Sequence, residues 1–164
     1  MKDLGVKVAK VALGALHTIC LAYDGKVYGF GFNSYGQLAN PKENEPLPIE
    51  IKLPFLTKDI HCGWHYSVFV ASSGELYSCG ANTSGEQAAV SEEKINFRSP
   101  MKMNMPVISN VTESSINWRV YTSSFSSNTF LLGRVSNKRI IWMQSKMKKF
   151  SNQGICFPDL LVKH

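Results

Sequence analysis

The chain has 164 residues, of which 44% are hydrophobic and 18% charged, a composition that excludes a disordered segment and fits one folded domain. Its net charge of +6 suits an acidic or polyanionic partner as well as a solvated basic surface, and a charge balance does not define a fold. No apolar run reaches the roughly 20 residues that cross a bilayer, so we expect no membrane segment.

The first unit of the chain predicts four β-strands, at residues 5–13, 17–22, 26–32 and 46–53. Residues 17–22 are apolar on both faces, as in a strand at the middle of a sheet. Asp24-Gly25 predicts a tight hairpin, because Gly25 can adopt the positive φ that such a turn requires. Residues 33–45 are polar and rich in turn residues, and we expect them to form an exposed loop.

The second unit repeats the first, because residues 14–39 align without a gap with residues 63–88. Its predicted strands are residues 59–62, 66–71, 75–80 and 101–108. The identical pairs are Gly14/Gly63, Ala22/Ala71, Gly25/Gly74, Tyr28/Tyr77, Gly31/Gly80, Asn33/Asn82, Gly36/Gly85 and Ala39/Ala88. We interpret the glycine and asparagine pairs as structural turn positions. Self-similarity with a period of about 50 residues is typical of a propeller or another repeat array.

A third unit is present in degenerate form. Its predicted strands lie near residues 118–121, 129–132 and 140–143. Arg134 stands where the first two units have the hairpin glycine, and the returning strand starts late, so we expect a wider loop before it. Residues 157–162 could form a fourth strand or could cover the last sheet.

Together these elements predict an all-β fold, an incomplete β-propeller of about three four-stranded antiparallel blades. We expect a single domain over residues 1–164, with blades at approximately 5–54, 57–108 and 116–164. Such an array has edge strands that invite association unless they are covered.

The cysteine pattern points to a reducing compartment. Cys20, Cys62, Cys79 and Cys156 have no C-x-x-C spacing, and no cysteine position is kept between the repeats. We therefore expect buried thiols in an intracellular protein, cytoplasmic or nuclear. The apolar run 11–22 imitates a secretion signal, but a histidine interrupts it and its removal would destroy the first repeat unit.

The sequence offers few candidates for catalysis or metal binding. His17 could be a general base, but no nucleophile or acid accompanies it, and we expect a buried histidine hydrogen-bonded to a neighbouring blade. His61, Cys62 and His65 match no zinc spacing, and we interpret them as two surface histidines beside a core cysteine. The glycines of residues 29–36 lack the helix that a dinucleotide fingerprint requires. We expect no catalytic residue, no cofactor and no metal.

Basic residues concentrate in the last third of the chain, at Lys138, Arg139, Lys146, Lys148 and Lys149. Trp142 and Phe150 lie among them, a combination that can hold the phosphates and bases of nucleic acid. The apolar neighbours of Trp142 also fit a core strand with the lysines as its solvated flank. Contact with nucleic acid or a nucleosome is therefore one alternative.

The motifs of the first unit are G-x-x-H-T at residues 14–18, D-G at 24–25, V-Y-G-F-G at 27–31 and N-S-Y-G-Q-L at 33–38. This series resembles the repeats of the regulator of chromosome condensation family, and the second unit departs from it at Tyr66, Ser73 and Glu86. The resemblance implies a seven-bladed propeller, and this chain holds less than half of the residues that such a propeller needs. Three explanations of this shortage are open at this point: the chain is part of a longer protein, a partner supplies the missing blades, or the array stays open.

The resemblance implies two classes of function. One is a non-enzymatic interaction module whose loops bind another protein, an acidic one included. The other is guanine-nucleotide exchange on a small GTPase, in which the propeller displaces the nucleotide without covalent chemistry. Because one fold serves many partners, we favour the interaction module.

Overall fold

The computed structural model describes residues 5–82, 96–103, 117–122, 129–135 and 138–144. These ranges are built from strands and turns. The strands are β1 (Val8–Leu13), β2 (His17–Ala22), β3 (Val27–Phe32), β4 (Asn44–Ile51), β5 (Thr57–Cys62), β6 (Tyr66–Ala71), β7 (Leu76–Gly80), β8 (Phe97–Lys102), β9 (Asn117–Thr122), β10 (Thr129–Val135) and β11 (Lys138–Gln144).

The strands form three antiparallel meanders, one after another along the chain. Their orders are β1-β2-β3-β4, β5-β6-β7-β8 and β9-β10-β11. Neighbouring sheets contact each other through their first strands, with β5 lying against β1 and β2 on one side and against β9 on the other. This arrangement confirms the predicted all-β fold of an incomplete propeller, with the first strand of each blade on the inside.

The two ends of the blades differ. We call the end that carries residues 14–16, 33–43 and 63–65 the loop end, and the end that carries the turns at 23–26 and 72–75 the hairpin end. Backbone hydrogen bonds align the first two blades at both ends. Ala15 N donates to Trp64 O at the loop end (3.1 Å), and Thr57 N donates to Gly25 O at the hairpin end (3.1 Å).

The core lies between the first two blades. Alternate residues of β1 and β2 meet alternate residues of β5 and β6, because successive side chains of a strand point to opposite faces. The buried cluster comprises Ala12, Ile19, Leu21, Val27, Leu38, Ile51, Ile60, Cys62, Phe69 and Cys79. Burial of this apolar surface is the main force that stacks one blade on the next.

The fourth strand of the second blade begins earlier than its sequence indicates. The strand predicted at residues 101–108 starts earlier than expected, because β8 spans Phe97–Lys102, and residues 104–108 lie outside the described residues. Phe97 is buried and lies opposite Gly80, whereas the methionine alternation suggested a later start. Pro100 is tolerated here because an edge strand does not need every backbone donor.

The third blade also differs from its prediction. β10 continues to Val135, which pairs with Lys138, so residues 136–137 alone connect β10 and β11. The expected wider loop was therefore wrong: β10 is longer than predicted and contains Arg134. The possible fourth strand at 157–162 lies outside the described residues.

Candidate protein-interaction face

The loop after β3 is folded inward around Asn33, which is fully buried. The side-chain oxygen of Asn33 accepts a hydrogen bond from Leu38 N (2.7 Å), and its amide donates to Asn40 O (2.8 Å). The expectation that all of residues 33–45 would be exposed was therefore wrong. The polar side chain satisfies buried backbone groups rather than facing water.

Gln37 carries this loop into the interface between the first two blades. Its carbonyl oxygen accepts a hydrogen bond from the hydroxyl of Ser67 (2.7 Å) and another from the thiol of Cys79 (3.3 Å). Its side-chain oxygen accepts from Tyr35 N (3.1 Å). The loop of the first blade thus completes the polar interior of the second.

His17 belongs to the same network, as we expected of a buried histidine that bonds to a neighbouring blade. Its Nε2 lies 3.0 Å from the hydroxyl oxygen of Ser67. The single proton of that hydroxyl is given to Gln37, so Nε2 of His17 must be the donor. Burial, with a smaller contribution from nearby His65, lowers the pKa of His17 to about 4. A neutral imidazole with its proton engaged in this way holds two blades together.

Gly14 and Gly63 have a role that the turn interpretation missed. Neither has a positive φ. A side chain at Gly14 would meet the ring of His17, and one at Gly63 would meet the ring of Tyr66. The glycine of the G-x-x-[HY] pattern therefore makes room for the ring three residues later, whether that ring is imidazole or phenol.

Positive φ values support the turn interpretation at other positions. They occur at Gly25 (84°), Gly31 (106°), Gly36 (86°), Gly74 (96°) and Gly80 (110°). Asn82 is buried, as Asn33 is. Gly85 lies outside the described residues.

Four rings gather at the loop end. His65 stacks on Tyr35 with ring centroids 4.8 Å apart and on Trp64 at 5.5 Å. Phe32 meets the edge of Tyr35 at 5.9 Å. His65 was expected on the open surface, but it is partly buried between two aromatic rings.

Leu16 extends this group, and we call Leu16, Phe32, Tyr35, Trp64 and His65 the aromatic face. Leu16 is 63% exposed and Trp64 is 45% exposed. Phe32 N donates to Leu16 O (2.8 Å), and the Ala15–Trp64 bond joins the two loops that carry the exposed residues. The aromatic face is therefore held in shape by backbone hydrogen bonds before any partner arrives.

His61 lies elsewhere, on the inner strand β5. Its Nε2 is 3.1 Å from a carboxylate oxygen of Asp59, and Lys10 of the first blade forms an ion pair with the same carboxylate. Burial alone would raise the pKa of Asp59, but the bonds from His61 and Lys10 outweigh it and hold that pKa well below its usual range. Within the described ranges, no three acidic, histidine or cysteine residues are grouped so as to hold a metal.

The thiols of Cys20, Cys62 and Cys79 are free and buried, as expected. Burial raises the pKa of the Cys62 thiol to about 12 and raises that of Cys79 as well. Nucleophilic chemistry needs the thiolate, so these cysteines are packing residues.

The predicted basic residues are only partly described. Lys138 and Arg139 begin β11 at the hairpin end of the third blade, whereas Lys146, Lys148 and Lys149 lie outside the described residues. In the part of the chain that the structure covers, no helix has the length and apolar character to span a membrane.

Comparison with known proteins agrees with the repeat pattern. Two family models, each described as the regulator of chromosome condensation (RCC1) repeat, match this chain, one at residues 8–37 and 58–86 and the other at 24–70. The ultraviolet-B receptor UVR8 of Arabidopsis thaliana is 28% identical over 159 residues, which cover 94% of this chain and 36% of UVR8.

Solved structures show the same architecture. Yeast RCC1 (Prp20), in a structure bound to Kap60, superposes with a TM-score of 0.67 at 19% identity and covers 86% of this chain. Prp20p from Saccharomyces cerevisiae, in a study of its binding to Gsp1p and histones, gives a TM-score of 0.62 at 22% identity and covers 84% of this chain. The chain spans about a third of the length of these proteins, 36%, 30% and 33% respectively. The chain carries regulator of chromosome condensation repeats and has the propeller fold of proteins built from them.

Proposed function

We propose that this chain is a non-enzymatic protein-interaction module that binds its partner through the aromatic face. The observation that carries the proposal is the exposure of Trp64 and Leu16 on a group of stacked rings that backbone hydrogen bonds fix in place. Exposed aromatic anchors on a rigid surface contribute most of the energy of many protein interfaces, because little conformational entropy is lost when they bind.

Two residues of the loop that carries the exposed tryptophan differ between the first two blades. Trp64 and His65 stand where the first blade has Ala15 and Leu16. A repeat scaffold with variable loops suits recognition of a particular partner rather than a shared chemical step. Free buried cysteines support a location inside the cell, cytoplasmic or nuclear.

A matched pair of variants tests the proposal. Trp64→Ala with Leu16→Ala removes the exposed part of the aromatic face, and Tyr23→Ala with Leu56→Ala removes comparable side chains at the hairpin end, where Tyr23 is 78% exposed. A partner recovered with the parent chain, purified and titrated by calorimetry, should bind the hairpin-end variant normally and the Trp64/Leu16 variant about tenfold more weakly or worse. Equal affinities for the two variants would exclude the aromatic face as the binding surface.

The second candidate function is guanine-nucleotide exchange on a small GTPase, by this chain or by a protein of which it is part. Its support is the likeness to Prp20p, whose structure was reported with its binding to Gsp1p and histones. Exchange needs a surface that displaces nucleotide and no covalent catalyst, so it is compatible with the buried histidine and thiols. If micromolar chain does not speed release of a fluorescent guanine nucleotide from a panel of small GTPases, exchange is excluded for those GTPases.

A further inference from the structure

A groove lies between the second and third blades, where β5 and β9 face each other. Its volume is about 390 Å³, which is within the range of sites that take small molecules. Val70 of the second blade and Val120 of the third line it and are 2% and 5% exposed, so its innermost walls are apolar. Described residues of this chain therefore bound the groove on both sides, unlike a sheet face that is open to solvent.

Basic side chains lie around this apolar recess. Lys58 and His61 come from β5, and Arg119 and Tyr121 come from β9. Lys58, Arg119 and Tyr121 are exposed. Within the described ranges, no ion pair joins Lys58 or Arg119 to another residue.

Asp59 is the single acid among the lining residues, and its charge is already neutralised. Lys10 of the first blade forms an ion pair with one oxygen of its carboxylate, and Nε2 of His61 lies 3.1 Å from the other. The charges of Lys10 and Asp59 cancel. Lys58 and Arg119 consequently leave the groove with an excess of two positive charges.

The junction between the first two blades shows how the equivalent position is closed. Asp59 lies opposite Val70, and its equivalent in the first blade is Lys10, opposite Leu21. The register of β9 gives Arg119 as the equivalent in the third blade. Lys10 reaches across the first junction to Asp59, whereas no ion pair within the described residues joins Asp59 to Arg119 across the second. The position that an ion pair fills at one junction is open as a groove at the next.

We infer that the groove between β5 and β9 binds a small phosphate monoester. A phosphate monoester carries nearly two negative charges at neutral pH, which matches the excess of two positive charges better than one carboxylate does. The guanidinium of Arg119 can donate two parallel hydrogen bonds to the phosphate, and Lys58 adds a point charge. The organic part of the ligand packs on Val70 and Val120, beside the ring of Tyr121. The site is separate from the aromatic face and does not depend on it.

The test titrates the full chain with phenyl phosphate and follows binding by calorimetry at low salt. Phenyl phosphate should bind with a Kd on the order of 1 mM or below. Benzoate has a similar ring and a single charge, and it should bind about tenfold more weakly or worse. Added salt should weaken the binding of phenyl phosphate, because the two cations are exposed.

Single-charge variants separate the groove from the overall basic charge of the chain. Arg119→Gln should weaken the binding of phenyl phosphate by about tenfold or more, and Lys58→Gln by about threefold or more. Lys26→Gln removes the same charge from an exposed residue of the first blade that does not line the groove, and its effect should be about twofold or less. Urea unfolding checks that the variants are folded, and Lys58→Gln serves as the test if Arg119→Gln is not.

Three results would overturn the inference: no binding of phenyl phosphate to the parent chain at about 10 mM, equal weakening by the groove variants and Lys26→Gln, or equal affinities for benzoate and phenyl phosphate. Trp64→Ala should leave the binding of phenyl phosphate unchanged. The failure of this site and the failure of the aromatic face are therefore distinguishable.

Discussion

The hydroxyl of Ser67, inside the second blade, donates its proton to the main-chain carbonyl of Gln37, in the loop of the first blade, across 2.7 Å. Both atoms are buried, so Ser67→Ala should lower the free energy of unfolding by about 1–3 kcal/mol. In the variant, the carbonyl of Gln37 keeps only the thiol of Cys79 as a donor, and Nε2 of His17 has no acceptor. Urea unfolding measures this loss. Ser73→Ala removes an exposed hydroxyl that bonds only to Glu75 and should change stability by less than about 0.5 kcal/mol. Similar losses in the two variants would contradict this role for Ser67.

Gly14→Ala should destabilise the chain by about 1–3 kcal/mol, because the new methyl group would meet the ring of His17. Combining it with His17→Ala removes the clash. The double variant should therefore be more stable than the sum of the single effects predicts, as measured in a thermal double-mutant cycle. Additive effects would mean that the ring does not require the glycine.

Gly25→Val and Gly74→Val should each cost more than about 1 kcal/mol, because both glycines hold a positive φ that a β-branched residue adopts at a high cost. Gly25→Asn provides the control, since asparagine tolerates this conformation better than other residues. Unfolding midpoints should rank the parent first, then Gly25→Asn, then Gly25→Val. If the valine variants are as stable as the parent, the hairpin turns do not need these glycines.

Stability should decrease as the pH falls from about 6.5 towards 4.5, because His17 is neutral in the folded chain. Its pKa of about 4 lies below the ordinary value of 6.5, so the unfolded chain binds more protons in this interval and is favoured by acid. The full effect, reached near pH 4, is on the order of 3 kcal/mol. Asp59, whose pKa is depressed, loses its contribution only below about pH 4.

Unfolding measured at several pH values, for the parent and for His17→Gln, checks this expectation. Subtracting one curve from the other removes the contributions of the remaining titratable groups. The variant should show a shallower dependence on pH than the parent. Parallel curves would show that His17 does not titrate on unfolding.

The sequence was sufficient to predict the fold because the period of the repeat and its glycine turns are local signals. It placed β2 and β6 at their observed bounds and identified His17 as a link to the next blade. It failed where contacts distant in the sequence decide the outcome. The polarity of residues 33–45 indicated an exposed loop, and only the neighbouring blade shows that Gln37 is an interior residue.

The aromatic face was missed for the same reason. Tyr35 and His65 are 30 residues apart in the sequence and stack only because two blades lie side by side.

The hydrogen bonds from Ser67 and Cys79 to Gln37 give the array a direction. The loop of one blade supplies an acceptor that the following blade needs, so a blade taken out of order would keep its own strands and lose an interior bond at its junction. For engineering, the exchangeable module is consequently not a sheet. In the first two blades the module runs from Asn33, in the loop of the first sheet, to β6, the strand of the second sheet that carries Ser67. A chimaera joined at those two points should keep the hydrogen bonds between the blades, whereas a chimaera joined between the sheets should lose them.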